Sequence, residues 1–199
     1  MLDANSISMI AAIVLLIAMS GLFSATETAF STFNRVRMKN LASDGNKRAA
    51  LVLRLSEDYD SLLSTILIGN NIVNISASSL MTVLVTDVFG SAFVGAATGV
   101  LTLLVLIFGE ITPKTTATLY SESMALKFAK PIYLLMQVLT PVIFIVDILA
   151  KGVLKLLHID PNKKPDAITE EELRTIVEVS HEEGVIESDE KKMIYNVFD

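Results

Sequence analysis

The sequence predicts an all-α polytopic membrane protein with three transmembrane helices, a juxtamembrane belt helix and a small cytoplasmic helical bundle. Of the 199 residues, 52% are hydrophobic, and the mean hydropathy is +0.56. That composition is too apolar for an ordinary soluble domain. Three apolar stretches are long enough to cross the ~30 Å hydrocarbon core of a bilayer. The net charge of −6 lies entirely in residues 162–199, which hold 11 acids and 5 bases, and predicts a separate acidic tail.

The composition also excludes several classes of site. There are no cysteines, which excludes disulfides, thiolate metal sites and cysteine nucleophiles. The two histidines, His158 and His181, occur late in the chain, which argues against an ordinary zinc site. The acidic tail argues against nucleic acid as a partner. The apolar stretches contain no Ser/His or Cys/His constellation, so we expect no enzyme.

The first element is the apolar stretch Ser6–Phe33, in which Glu27 is the sole charge. Its N-terminal flank lacks the basic residues of a cleaved signal peptide, so we predict a retained transmembrane helix. The next stretch, Asn34–Tyr59, is rich in Lys and Arg and is therefore predicted to be cytoplasmic. The helical spacing of Leu51 and Leu55 predicts one or two short helices on the membrane surface.

Two further spans are predicted, Ser61–Thr86 and Val88–Gly109. The stretch Asp87–Gly90 has no basic residue and reads as a tight turn on the outer side. Lys114 and Lys127 follow the third span and place its end inside. The predicted topology therefore has an external N-terminus, three crossings of the cell membrane and a cytoplasmic C-terminus.

The fourth apolar stretch, Pro131–Val146, leaves two alternatives open. It has only 16 uncharged residues, below the ~20 that a span needs. Asp147, Lys151 and Lys155 then follow at four-residue spacing. We predict an amphipathic belt helix along the inner membrane face, kinked near Pro141. The alternative is a fourth full span.

The acidic tail is predicted to form a small helical bundle, with the domain boundary between residues 158 and 159. Residues 160–165 read as a linker. Thr169 is predicted to cap one helix, Gly184 to stop it, and Ser188 to cap a second helix. The second helix has an apolar face at the end of the sequence, which predicts a further soluble domain beyond Asp199.

Glu110 is the strongest candidate for a functional residue. A carboxylate at the end of a 22-residue uncharged run is costly unless it has a partner. Pro113 lacks an N–H and, in an α-helix, leaves the Gly109 carbonyl without a donor. We therefore predict a helix break that places a carboxylate beside a free carbonyl oxygen. The alternative is a surface salt bridge from Glu110 to Lys114, four residues on.

The first two spans also carry polar faces. Ser20 and Ser24 are four residues apart and share a helix face, as do Asn70 and Asn74, whereas Asn71 points elsewhere. Polar side chains in a span usually face the bundle interior. The first stripe continues through residues Glu27, Thr28 and Ser31.

All of these groups supply oxygen, which Mg²⁺ and Ca²⁺ prefer and Na⁺ also accepts, so ligand type alone does not choose the ion. The alternative for the serines and asparagines is hydrogen bonding between helices, worth about 0.6 kcal/mol each. The alternative for Glu27 is an ion pair with Arg35 or Arg37.

Three motifs together resemble the membrane domain of the CNNM/CorC family of magnesium transporters. The motifs are residues 20–29 (SGLFSATETA), 68–74 (IGNNIVN) and 108–114 (FGEITPK). The resemblance covers the chain from Met1 to about Leu157. The tail resembles the acidic helical bundle that precedes the family's CBS-domain pair, and we expect the sequence to stop before that pair.

The resemblance implies a homodimer that exports Mg²⁺, with Na⁺ entry as the coupled movement and Co²⁺ as another possible substrate. The short N-terminus is similar to prokaryotic members. The implied ion ligands are Ser20, Ser24, Asn70, the Gly109 carbonyl and Glu110. The second-tier candidates are Asn74, as the alternative amide, Glu27, Thr28 and Pro113. A different class of function, a Mg²⁺ sensor that modulates a separate channel, stays open.

Overall fold

The computed structural model describes residues 4–157 and 170–198, and these residues form helices joined by short turns. Contacts divide the chain into two compact units, Met1–Asp147 and Ile148–Asp199. The helices are α1 (Ala4–Thr32), α2 (Arg35–Ser43), α3 (Lys47–Glu57), α4 (Tyr59–Phe89), α5 (Val94–Leu104), a π-helix (Val105–Ile111), α6 (Thr112–Leu119), α7 (Ser121–Leu156), α8 (Glu170–Glu182) and α9 (Ser188–Phe198).

Four helical stretches in the described part are long and apolar enough to cross a membrane. They are Ala4–Thr32, Tyr59–Phe89, Ser91–Leu119 and Ser121–Leu156. The first three correspond to the predicted spans, but Phe33 lies beyond the first, and residues 88–90, predicted to begin the third span, lie at the end of α4 and at Gly90. The chain is a multi-pass all-α membrane protein. The fourth is α7, which contains the predicted belt segment.

Two prolines, Pro131 and Pro141, lie inside α7, and the helix continues through both. A proline in a helix interior removes one backbone hydrogen bond and disfavours the preceding turn. The kink predicted near Pro141 thus falls inside a continuous helix.

The basic stretch after α1 forms two short helices, the larger number predicted. The Asn34 side chain accepts a hydrogen bond from the Arg37 N–H at 3.0 Å and caps α2. The Asn46 side chain caps α3 in the same way, accepting from the Arg48 N–H at 3.0 Å. Between them Gly45 has a φ of +89°, which glycine adopts at little cost.

The turn predicted at Asp87–Gly90 is wrong in its extent. Helix α4 continues through Phe89, and Gly90 ends it with a φ of +87°. The next helical stretch begins at Ser91 with a short 3₁₀ turn that leads into α5. A left-handed backbone favours glycine, so the single Gly90 is sufficient for the reversal.

The larger core of the first unit joins both short helices to the long ones. The buried side chains of this cluster come from α1, α2, α3, α4, α6 and α7, and they include Phe30, Met38, Val52, Leu62 and Ile132. Met38 and Val52 have no exposed surface at all. The short helices are thus packed against the ends of the long ones. This packing fixes the ends of α1 and α4 that lead to the polar residues described below.

The second unit contains α8 and α9. Gly184, with a φ of +74°, ends α8, and the Val185 N–H donates to the Ser180 carbonyl at 2.9 Å, which confirms the predicted stop. The predicted cap at Ser188 is wrong by one residue. Glu187 precedes α9, and its N–H donates to the Glu190 carboxylate at 3.0 Å, as in a capping box. Thr169 and the linker lie outside the described residues.

A charged network links α8 to α9. Lys191 Nζ lies 2.6 Å from Glu178 Oε1, and the Tyr195 hydroxyl donates to Glu178 Oε2 at 3.0 Å. The hydrogen bond from Lys191, followed by that from Tyr195, lowers the pKa of Glu178. The same bond to Glu178 raises the pKa of Lys191. The network therefore stabilises the ionised carboxylate.

We expect Glu178→Gln to loosen α8 and α9 at pH 7 and to have a smaller effect at an acidic pH below the lowered pKa of Glu178. A carboxyl whose pKa is lowered on folding stabilises the fold above its usual value of 4.5, and the stabilisation is lost as the pH falls through the folded value. Hydrogen exchange of wild type and variant, compared at the same pH, checks this. Glu183→Gln, at an exposed position, is the control. Equal effects of Glu178→Gln at both pH values would contradict it.

Candidate functional site

Two glycines bring α1 and the π-helix into close backbone contact. A methyl group on Gly21 would lie 2.9 Å from the Phe108 carbonyl oxygen and 3.1 Å from Pro113 Cγ. A methyl group on Gly109 would lie 3.0 Å from Ser20 Oγ. Small residues allow helices to approach this closely in membranes. The sequence prediction gave Gly21 no role, although its place next to Ser20 on a polar face was a usable signal.

The helix break predicted at Pro113 takes a different form. The chain stays helical, but its turns widen into the π-helix, and the Thr112 N–H bonds to the Ile107 carbonyl five residues back. Pro113 then lies in the first turn of α6, where a missing N–H is tolerated. Because the π-helix pairs each N–H with the carbonyl five residues back, the carbonyl opposite Pro113 is that of Phe108 and not, as predicted, that of Gly109. Such π segments inside α-helices frequently mark functional sites.

The polar faces of α1 and α4 meet as the spacing predicts. Ser20 Oγ donates to Asn70 Oδ1 at 2.8 Å, and Asn74 Nδ2 donates to the same oxygen at 3.4 Å. Asn71 is exposed and donates to the Leu67 carbonyl at 2.9 Å, so it points elsewhere, as predicted. Three of the predicted residues therefore form one connected cluster between two helices.

Two oxygens near this cluster are buried without a hydrogen-bond partner among the described residues. They are Ser24 Oγ and Asn74 Oδ1. Ser24 is completely buried, one helical turn beyond Ser20. Leaving a buried polar atom unsatisfied costs about 1–3 kcal/mol, and a native structure usually has a reason for it. Binding of a cation would provide that reason.

Glu110 lies on the π-helix and is half-buried. Its predicted alternative partner, Lys114, instead places Nζ 3.3 Å from Glu27 Oε2. Arg37, one of the alternatives for Glu27, contacts Glu122 at 3.3 Å. Within the described ranges Glu110 forms neither an ion pair nor a hydrogen bond. Its carboxylate is therefore not neutralised by a neighbouring side chain.

The two remaining second-tier residues, Pro113 and Thr28, differ in their relation to the cluster. Pro113 packs against Gly21 through its ring and supports the contact between α1 and the π-helix. Thr28 is half-buried, and its carbonyl accepts hydrogen bonds from the Ser31 and Thr32 hydroxyls at 3.0 and 2.7 Å. These contacts of Thr28 lie within the last turn of α1, beyond the cluster formed by Ser20.

The cluster offers hydroxyl and amide oxygens, and Glu110 on the π-helix offers a carboxylate. The described part of the chain contains no group of three or more His, Cys, Asp and Glu residues that could hold a metal. Hard cations such as Mg²⁺, Ca²⁺ and Na⁺ are bound through oxygen. A single carboxylate compensates a dication only partly, which suits an ion that must be released.

A sequence model of the Cyclin M transmembrane N-terminal domain, CNNM, matches residues 11–190. The chain belongs to the CNNM family. This confirms the resemblance carried by the three motifs. It also agrees with the expectation of a membrane protein outside the known enzyme families.

Relatives of this CNNM chain include two bacterial proteins. A UPF0053 protein of Haemophilus influenzae is 36% identical over 165 residues, which are 83% of this chain and 39% of that protein. The UPF0053 inner membrane protein YfjD of Escherichia coli is 36% identical over 181 residues, 90% of this chain and 42% of that protein. The chain thus spans about two fifths of the length of these relatives.

A third relative has a name that describes an activity. The polyamine export protein of Haemophilus influenzae is 28% identical over 203 residues, which cover 96% of this chain and 47% of that protein.

Proposed function

We propose that this chain is the membrane domain of a transporter that exports Mg²⁺, with the ion bound between α1, α4 and the π-helix. The observation that carries the proposal is a pair of buried oxygens on two of these helices, Ser24 Oγ and Asn74 Oδ1, that have no hydrogen-bond partner among the described residues. The carboxylate of Glu110, which pairs with no side chain in the described ranges, lies on the third. Coupling to Na⁺ entry belongs to the proposal and is supported by the family resemblance.

Hydrogen bonds separate the candidate ligands that can bind the ion in this conformation from those that cannot. Asn70 Oδ1 already accepts two hydrogen bonds, from Ser20 and Asn74, and both of its lone pairs are used. We therefore propose Asn74 Oδ1 as the amide ligand in this conformation, together with Ser24 and Glu110. Ser20 and Asn70 orient the Asn74 amide and bind the ion directly only after their mutual bond opens. The Gly109 carbonyl belongs to the proposed set on the family resemblance alone, because the widened turn leaves the Phe108 carbonyl, not that of Gly109, opposite Pro113.

The proposed arrangement in the membrane follows the distribution of basic residues. Arg35 to Arg54 and Lys114 to Lys130 flank the ends of the first three spans on one side, which the positive-inside rule makes cytoplasmic. The N-terminus is then external and the tail cytoplasmic, in the cell membrane. Three crossings, a membrane-parallel α7 and a homodimer are parts of the same proposal.

Flux through the purified protein tests the proposal. The protein is reconstituted into liposomes loaded with a Mg²⁺-sensitive dye, and Mg²⁺ movement is followed with and without a Na⁺ gradient. A transporter moves Mg²⁺ faster than protein-free liposomes do. A sensor that modulates a separate channel would bind Mg²⁺ without flux, and that result would overturn the proposal.

A second candidate, polyamine export, is supported by the name of the 28% identical relative. The ammonium groups of a polyamine are hydrogen-bond donors that hydroxyl, amide and carboxylate oxygens accept. The same liposomes, loaded with labelled spermidine, separate the candidates. Spermidine movement without Mg²⁺ movement would favour the second.

The acidic tail is expected to set the Mg²⁺ dependence of transport. Its carboxylates repel one another at low Mg²⁺ and are screened or bridged at high Mg²⁺. Reversing the charge of Glu182, Glu183 and Glu187 is expected to shift the Mg²⁺ concentration that gives half-maximal flux. Replacing the same residues by glutamine gives a smaller shift in the same direction. Unchanged dependence in both variants would remove the tail from the mechanism.

A further inference from the structure

Glu110 and Lys114 have the sequence spacing of a favourable ion pair. A glutamate four residues before a lysine on a helix is the preferred orientation for such a pair. In the structure, however, Lys114 Nζ lies 3.3 Å from Glu27 Oε2 on α1. Lys114 thus has two possible carboxylate partners, and the structure shows it at the one outside the candidate cation site.

We propose that Glu27 holds Lys114 away from Glu110, and that Lys114 otherwise competes with the transported cation for the Glu110 carboxylate. Glu27 is a positioning residue in this scheme and does not contact the ion. The inference rests on the proposed function, because it assumes that Glu110 binds the cation.

The position of the ion pair supports this role. Glu27 lies three residues beyond Ser24 on α1, and Lys114 lies four residues beyond Glu110. The contact between Gly21 and Pro113 brings α1 against the start of α6. The Glu27–Lys114 pair is therefore about one helical turn from the candidate site on the same two helical stretches.

The net charge near the candidate site also predicts that loss of Glu27 weakens cation binding. Glu27, Lys114 and Glu110 together carry a net charge of −1, and neutralising Glu27 would raise it to zero. A dication is attracted less strongly to a neutral site, even before Lys114 moves. Once Glu27 no longer holds it, the ammonium can turn toward Glu110, four residues back at the end of the π-helix. Both effects weaken cation binding, and both are reversed when Lys114 is also neutralised.

A purely structural role for the Glu27–Lys114 pair predicts a different pattern of Mg²⁺ affinities among the variants. The two side chains are 44% and 43% exposed, and pairs with such exposure contribute about 0–1 kcal/mol to stability. If the pair only joined α1 to α6, removing the second partner would not restore what removal of the first had lost. If Glu27 were itself an ion ligand, removing Lys114 as well would likewise not restore Mg²⁺ binding. Rescue by a second substitution therefore separates the three roles.

Mg²⁺ binding to the full chain in detergent is measured for wild type, Glu27→Gln, Lys114→Gln and the double variant. We expect Glu27→Gln to weaken binding about tenfold, which corresponds to one unit of log affinity. The double variant should return to within about threefold of wild type. The control is Arg37→Gln/Glu122→Gln, which breaks the described ion pair between α2 and α7 and should leave Mg²⁺ affinity unchanged. A double variant as weak as Glu27→Gln would overturn the proposal, as would wild-type affinity in Glu27→Gln.

Zero-length carbodiimide cross-linking gives a readout that does not depend on Mg²⁺ transport. It joins lysine and carboxylate side chains in contact, and mass spectrometry identifies the pair. We expect a Glu27–Lys114 product in wild type and a Glu110–Lys114 product in Glu27→Gln, the latter suppressed by added Mg²⁺. If Lys114 does not form the Glu110 product in Glu27→Gln, the proposed role of Glu27 is contradicted. If Lys114 changes its cross-linked partner but the protein does not bind Mg²⁺, only the proposed function is contradicted.

Discussion

Replacing Glu110 by glutamine is expected to weaken Mg²⁺ binding by at least about a hundredfold, or about 2.7 kcal/mol, and to abolish flux. Glu110 is half-buried and is paired with no described side chain, so it supplies the only formal charge of the proposed ligand set. Two unit charges 4 Å apart interact by about 4 kcal/mol at an effective dielectric constant of 20, and a dication by more. The glutamine keeps the shape and removes this attraction.

Binding of Mg²⁺ in detergent and flux in liposomes check the effect of Glu110→Gln. The matched control is Glu57→Gln, which makes the same charge change at an exposed position at the end of α3. We expect the control to bind and transport as wild type does. Wild-type flux in Glu110→Gln would remove Glu110 from the proposed site.

Replacing Gly21 by alanine is expected to lower the stability of the membrane domain by roughly 1–3 kcal/mol, the usual cost of overpacking. The added methyl group would lie 2.9 Å from the Phe108 carbonyl oxygen and 3.1 Å from Pro113 Cγ. The first of these is a backbone atom, which cannot move aside as the end of a flexible side chain can. The π-helix would have to shift away from α1, and Glu110 would shift with it.

Gly99→Ala is the control for this substitution. Gly99 lies inside α5, and nothing lies within 4 Å of an added methyl group. Alanine in a helix interior is favoured over glycine by about 0.5–1 kcal/mol, so the control should be neutral or stabilising. Thermal unfolding followed by circular dichroism compares the two variants. Equal melting temperatures would contradict the close contact between α1 and the π-helix.

Hydropathy was sufficient to predict the long helices, because a continuous apolar run of about 20 residues is a strong signal. The spacing of Ser20 with Ser24 and of Asn70 with Asn74 was sufficient to predict that the two faces meet, which the Ser20–Asn70 hydrogen bond confirms. Periodicity along one helix identifies a polar face, and the low solubility of polar groups in lipid directs that face inward.

Contacts between helices were predicted less well. The alternative considered for Glu110 was an ion pair with Lys114, four residues on, but Lys114 lies against Glu27, which is distant in sequence. Local spacing reports possible partners, whereas helix packing selects among them. Pro113 marked where the third span changes, but proline allows a break, a kink or a widened turn. The π-helix depends on the packing of Gly21 and Gly109, which no single-helix pattern contains.

The most direct test of the proposed cation site is a crystal structure grown with Mn²⁺, which substitutes for Mg²⁺ at oxygen ligands and gives an anomalous signal. We predict one strong peak between α1, α4 and the π-helix, at about 2.1 Å from oxygens of Ser24, Asn74 and Glu110, as for an octahedral Mg²⁺ site. The peak should vanish in Glu110→Gln. A structure of the wild-type protein with Mn²⁺ bound elsewhere, or with none between these helices, would contradict the assignment of the site.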